Sequence, residues 1–355
     1  MKESKINCIE GLRTIGWIGV FLFQFKGAFF PNKTCWLDMT PIRFIYSGNA
    51  YVRLLFVISG FVLCYKYFVK ECYDNILGDV VKRYFRLMPP ILCAEIVVYF
   101  LMKFNFMKNV EAASIIGSQD FLGIFNTFSP NIIECLKEAL VKTYLTGGSA
   151  YIGPLWSIVY EYLGALLILA VVYIFKKSPW RWLFYIIFMS VFAGYYNYFV
   201  LGMIIADLYV NTNLNEIIKK RPFFQFCMIL GGYLMLSMIN INDQEKYTRV
   251  VFAVGIVLFM LGILSSNLMK RLLGNRLMVK GGKLAYTAYI VHWPIVETIS
   301  CGLFLSFYNK IEYNVLILLV LIITFLVIIF VANILATYIE TIGSDIAKKL
   351  TDDRI

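Results

Sequence analysis

The groups able to do chemistry in this sequence are few and lie in apolar surroundings. There is a single histidine, His292, so a mechanism needing several imidazoles is excluded. Arg13, Lys26, Arg53, Glu95, Glu161, Asp207 and Glu297 fall inside long apolar runs, with the amide Gln24 two residues before Lys26. A charge inside a membrane helix is costly, which makes each of these a candidate for function. The competing reading is structural ion pairing between helices, although buried pairs seldom add net stability over apolar packing. Arg53 or Lys26 offers the fixed positive charge that stabilises an oxyanion in a dry site. Arg13 and Gln24 are 11 residues apart, close to three helical turns, and so share one face about 16 Å apart along the axis.

A second constellation is Lys82-Arg83-Tyr84-Phe85-Arg86-Leu87-Met88-Pro89-Pro90. Residues 82, 83 and 86 occupy one or adjacent helix faces. Arginines so spaced suit phosphate, which accepts forked hydrogen bonds; anchoring to lipid headgroups on the cytoplasmic side is the other reading. Proline at 89 predicts that one helix stops or the next starts there. The eight cysteines are scattered, without a CxxC pair or spacing with histidine, so no metal site is expected. Cys35 and Cys135 fall in segments expected on the outer face, either as a disulfide or as two free thiols.

The elements that must position these groups follow from composition. The 355 residues are 60% hydrophobic and 15% charged, with mean hydropathy +0.73, where soluble domains run about 45–50% and about 25%. That excludes an ordinary soluble protein, a disordered chain and a disulfide scaffold, and predicts an all-α, polytopic integral membrane protein. Residues 313–339 are 27 in a row without a charge, and about 20 apolar residues span a bilayer core. Ten spans are expected: 9–30, 46–68, 89–107, 154–175, 181–196, 197–211, 222–241, 249–268, 284–307 and 313–338. The region 181–211 reads as one long helix or as two with a break near Tyr196 and Asn197. Charge decides: with ten spans and a cytoplasmic N-terminus, 21 basic residues lie inside and 9 outside, whereas merging the fifth and sixth spans gives 13 inside and 17 outside. Basic residues collect on the cytoplasmic side, so ten spans with both termini cytoplasmic are expected.

On these spans Gln24 and Lys26 fall in the outer third, Arg53 and Glu161 about 10 Å below the outer surface, Glu297 in the outer half and His292 one to two turns deeper. The segment 108–153 is expected outside, as a cap over an outer-face site or as a solvated loop with one amphipathic helix. The first apolar segment, interrupted by Arg13 and Lys26, is expected to be a retained helix rather than a signal peptide. A single membrane domain over 1–355 is expected, with no appended soluble domain, in a multi-pass plasma-membrane setting. The net charge of +11 orients spans and does not imply nucleic acid.

These residues also carry a family resemblance. Ile9-Glu10-Gly11-Leu12-Arg13 with the Phe-Leu-Phe-Gln-Phe run ending at Phe25 resembles the first helix of the acyltransferase 3 family, which has Arg, ten residues, then His. Val52-Arg53-Leu-Leu-Phe-Val-Ile-Ser59-Gly60-Phe61 resembles its FFVLSGF element, and Arg83-Tyr-Phe-Arg86-Leu-Met-Pro89 its Arg-x-x-Arg-x-x-Pro. Gly153-Pro154-Leu155-Trp156-Ser157, with Glu161 four residues on, resembles GPLWSLSVE; Tyr286-Thr-Ala-Tyr289-Ile-Val-His292-Trp293-Pro294 resembles YSLYLLHWP. The resemblance implies a ten-helix enzyme moving an acyl group, usually acetyl, from cytoplasmic acyl-CoA to a hydroxyl of an extracytoplasmic glycan or glycolipid. It implies that Arg83, Arg86 and Arg13 meet the CoA phosphates, and that Lys26, Ser59, Trp156, Ser157 and Glu297 line the substrate. Gln24 stands where the family has its histidine, and an amide cannot take a proton from a hydroxyl. Glu161 or His292 is then the base, or the chain is a non-catalytic relative such as a glycan-precursor transporter, a flippase or a partner subunit. A homo-oligomer is compatible with either.

Overall fold

The computed structural model describes residues 6–31, 39–70, 76–238 and 246–352. They are helical throughout, with no strand among the described residues. The long elements are α1 (Asn7–Phe29), α2 (Gly48–Lys70), α3 (Ile76–Lys103), α4 (Asn109–Ile116), α5 (Ile132–Lys137), α6 (Ile158–Phe175), α7 (Trp180–Val191), α8 (Tyr196–Asn211), α9 (Pro222–Met238), α10 (Lys246–Ser265), α11 (Ala285–Ile295), α12 (Tyr313–Ile334) and α13 (Glu340–Asp352). π turns extend three of them, at Glu138–Lys142, Val296–Ser300 and Leu335–Ile339. Among the described residues seven helices are long and apolar enough to cross a membrane; Trp180–Val191 and Pro222–Ser237 are apolar but shorter. The region 181–211 is two helices, broken at 192–195 where Gly194 takes φ +125°, a conformation L side chains rarely adopt. Cys35, on which the outer pairing turns, lies outside the described residues.

The chain forms two compact units. One comprises 1–19, 35–80 and 160–283. Its centre is the crossing of α2 and α8, where the backbones touch. A Cβ at Gly60 would lie 2.2 Å from the Phe199 carbonyl oxygen, and one at Gly202 2.2 Å from that of Val57. Small residues permit such close approach between membrane helices. At the far end of α8, Asp207 is fully buried and accepts two hydrogen bonds from Arg181, at 2.5 and 2.9 Å. Arg181 is thus the structural partner of Asp207, as the ion-pair reading of in-span charges allowed.

The second unit comprises 20–34, 81–159 and 284–355. Here two expectations change. The third span was placed at 89–107 with a stop at Pro89; instead α3 runs from Ile76 to Lys103 through both prolines. Pro89 lacks the N–H that would bond the Phe85 carbonyl, and that carbonyl is met from outside by Gly343 of α13, where a Cβ would lie 2.2 Å from it. Tyr286 likewise donates to the Leu87 carbonyl at 2.6 Å. The helix continues through both prolines, with Gly343 and Tyr286 packed against this turn.

The second change concerns 108–153. Part of it is buried rather than solvated, and Asn126 within it bonds Glu297. Ala112, Ala113, Leu122, Cys135, Ala139 and Ile152 have no exposed surface. Asn131 caps α5, accepting from the Ile133 and Glu134 amides at 2.9 and 3.3 Å. The chain then runs back beside α3: Tyr84 donates to the Leu140 carbonyl at 2.8 Å, and Thr143 Oγ1 lies 3.5 Å from Glu95 Oε1. Tyr84 is about 28 Å along α3 from Lys103, where this connection began. Gly147, at φ +73°, turns the chain towards α6. Cys135 is a buried free thiol.

Candidate active site

In the second unit the functional candidates gather around α11 and its π turn. Pro294 leaves the Ile290 carbonyl without a helical donor, and the helix widens into the π turn Val296–Ser300, a feature frequent at functional sites. His292 is 1% exposed. Its Nδ1 lies 2.6 Å from the Tyr289 carbonyl oxygen. A carbonyl only accepts, so Nδ1 carries the hydrogen. In the neutral ring Nε2 is then the bare lone pair, and it has no hydrogen-bond partner. Tyr289 itself is fixed through its hydroxyl, which donates to the Pro154 carbonyl at 2.6 Å and lies 2.8 Å from Ser157 Oγ. Tyr289 therefore links the Gly153–Ser157 motif to the imidazole. Its signal in the sequence is the three-residue spacing Tyr286, Tyr289, His292, one stripe of a helix.

Glu297 is fully buried. Its Oε2 accepts from Asn126 Nδ2 at 2.9 Å, and its backbone carbonyl accepts from the Lys108 amide at 2.9 Å. Asn126 has φ +55°, a conformation asparagine tolerates better than most residues. Beside it the Phe121 and Phe125 rings stand edge-on to Trp293 at 5.8 and 5.2 Å. Sequence reading placed no role on Asn126, because its partner lies 171 residues away. Gln24, Lys26 and Trp156 are half-buried and Ser157 buried in this unit.

Also in this unit are the paired arginines, within α3 rather than before it. Arg86 is half exposed and its Nε donates to Glu340 Oε1 of α13 at 3.2 Å. Arg83 is partly buried.

In the first unit Ser59 Oγ donates to Glu161 Oε1 at 2.6 Å, bringing two sequence-selected residues together. Arg53 is 1% exposed. Its guanidinium carbon lies 5.9, 5.6 and 5.4 Å from the ring centres of Tyr195, Tyr198 and Phe252, distances at which a cation is attracted to aromatic faces. Arg13 bonds Glu10 one turn earlier at 3.3 Å. Beyond this turn, Thr14 donates to the Met278 carbonyl at 2.6 Å. Among the described residues no group of three or more His, Cys, Asp or Glu could hold a metal ion.

Seven bilayer-length helices carrying buried ionisable groups define a multi-pass membrane protein. Its family is the acyltransferase 3 family, described as an acyltransferase domain: residues 6–334 match the family profile, and the chain belongs to it. No curated protein and no solved structure matches the chain.

Proposed function

We propose that the protein is an O-acyltransferase that moves an acyl group, acetyl in the simplest case, from acyl-CoA to a hydroxyl of an extracytoplasmic glycan or glycolipid, with His292 as general base. The observation that carries this is the Nδ1 hydrogen bond from His292 to the Tyr289 carbonyl, which leaves Nε2 ready to accept a proton. The acceptor hydroxyl gives its proton to Nε2 as its oxygen bonds to the thioester carbonyl carbon. The carbon–sulfur bond then breaks, and the imidazolium returns the proton to the departing CoA sulfur. Nε2 is closed off from solvent, so substrates reach it in an open form, as in enzymes whose sites close over the reaction. Arg83 and Arg86 bind the CoA phosphates through their planar guanidinium groups. Glu161, engaged by Ser59, is the competing base.

The family membership supports acyl transfer. Gln24 favours a second reading, a non-catalytic relative that moves a glycan precursor. Purified protein in proteoliposomes with labelled acetyl-CoA separates them. His292→Gln is expected to lower transfer about 10²–10⁴-fold and to leave acyl-CoA affinity unchanged. Loss in Glu161→Gln with full activity in His292→Gln would assign the base to Glu161. Glycan movement without transfer of label from wild type would support the transporter.

A further inference from the structure

Between α10 and the span that begins at Ala285 the chain forms two short helices, Asn267–Leu273 and Arg276–Lys283. The Asn275 side chain starts the second, accepting from the Leu277 and Met278 amides at 2.9 and 3.0 Å. Within the first unit this hairpin is pressed against the beginning of α1. A Cβ at Gly11 would overlap the Leu273 backbone, one at Gly282 would overlap that of Glu10, and Thr14 bonds the Met278 carbonyl. The other side of the hairpin is exposed and mixed in character. Leu268, Leu272 and Leu277 are 64%, 53% and 79% exposed. Residues 266–284 hold five basic side chains and no acidic one. Lys270 lies over the Tyr209 ring at 5.9 Å. Arg271, Arg276, Lys280 and Lys283 are exposed, and none of these four pairs with a carboxylate among the described residues.

We propose that this hairpin lies in the membrane interface and collects anionic lipid, its leucines in the acyl boundary and its cations on the headgroup phosphates. Its place follows from the chain, because it joins the ends of two helices of membrane length. The helical spacing supplies the surface. Leu268 and Leu272 are four residues apart and share a face, with Arg271 beside them. Arg276, Lys280 and Lys283 fall at i, i+4 and i+7, one stripe of a helix, and Leu277 adjoins that stripe. Leucines flanked by lysine and arginine are what seat a helix in the interface plane. Each basic residue near an anionic lipid surface strengthens binding about fivefold, and no acidic side chain in the hairpin opposes it. A nucleotide phosphate would engage the cations alone and leave the three leucines in water; a lipid engages both. The proposal does not depend on the reaction the protein performs.

The test uses the full-length protein carrying Leu272→Trp, in nanodiscs of equal parts phosphatidylglycerol and phosphatidylcholine, with bromine on the chains of one lipid or the other. Bromine quenches indole fluorescence at contact, so quenching beyond that of the unsubstituted chain reports the lipid beside residue 272. Brominated phosphatidylglycerol is expected to quench this added emission at least about twofold more than brominated phosphatidylcholine. Arg271→Gln with Arg276→Gln and Lys280→Gln should bring the two lipids to parity, whereas Arg271→Lys with Arg276→Lys should keep the preference. Added quenching by neither lipid would show that the hairpin stands off the bilayer and would overturn the proposal. Equal quenching in the chain with its cations intact, or a preference that survives the three glutamines, would overturn it too. Equal quenching together with coenzyme A affinity lost in the glutamine variant would assign the surface to a nucleotide's phosphates instead. The first comparison needs only one substitution at an exposed position, so it decides even where the triple variant fails to fold.

Discussion

Gly343 of α13 sits against the Phe85 carbonyl of α3, the one carbonyl that Pro89 deprives of its helical donor. A Cβ at 343 would lie 2.2 Å from that oxygen and 2.9 Å from the proline ring. The notch and the glycine that fills it are more than 250 residues apart, and α13 lies beyond the matched family region 6–334. Gly343→Val is therefore expected to lift α13 off α3 and to destabilise the protein by about 1–3 kcal/mol. Thermal unfolding in detergent measures this. An unchanged melting temperature would mean that α13 is not held there.

The same docking puts Glu340 on Arg86. A carboxylate at that position opposes an incoming phosphate. Arg83→Ala with Arg86→Ala should weaken CoA binding, whereas Glu340→Gln should strengthen it by no more than about fivefold, since an exposed pair contributes about 0–1 kcal/mol. Calorimetric titration with CoA decides both. Wild-type affinity in the double arginine variant would reduce the pair to headgroup anchors.

The path of 131–145 beside α3 makes a prediction about sidedness. Lys142 follows Leu140, which touches Tyr84, so Lys142→Cys should react with a membrane-impermeant maleimide from the same face as Lys82→Cys. Peptide mass spectrometry reads the labelled position. Reaction from opposite faces would return the segment to the outer surface.

Glu138 in that segment is 5% exposed, and its Oε1 accepts from the Tyr151 amide at 3.0 Å. Burial pushes its carboxyl above the ordinary 4.5, against the opposing pull of the Tyr151 and Ala150 amides. A raised folded-state pKa contributes stability that is complete below the unfolded value and is lost as pH rises through the folded one. Glu138→Gln, which has no proton to lose, should therefore gain on wild type in melting temperature as pH rises from about 4.5. A difference independent of pH between 4 and 8 would show that the carboxyl is not perturbed by folding.

The sequence made the helices legible because apolar length dominates in a bilayer, and the family elements because they are local strings. Ser59 with Glu161 was legible as a set of candidates, since both lie in such strings. Asn126 was not: its partner Glu297 is distant in sequence, and its own surroundings look like a polar loop. The run through Pro89 was hidden for a related reason. Proline argues locally for a helix end, and the packing of Gly343 against this turn comes from the other end of the chain. The burial of 108–153 was masked by its charges, of which Glu134, Lys137 and Lys142 bond to one another on an exposed side.

The π turns at 138–142, 296–300 and 335–339 mark where this protein can gain or lose one residue at least cost to the helices on either side. An α-helix turns about 100° per residue, and each π turn absorbs one residue more than an ordinary turn holds, so the helix after it keeps its phase. In α11 the widened turn stands between His292 and the stretch Cys301–Phe307. A one-residue deletion there would let the helix close to ordinary pitch with its two halves still in register, whereas the same deletion in an ordinary turn would swing them against each other by about 100°. Among relatives of this chain, a one-residue gap would accordingly be tolerated within 296–300 more readily than in the ordinary turns on either side.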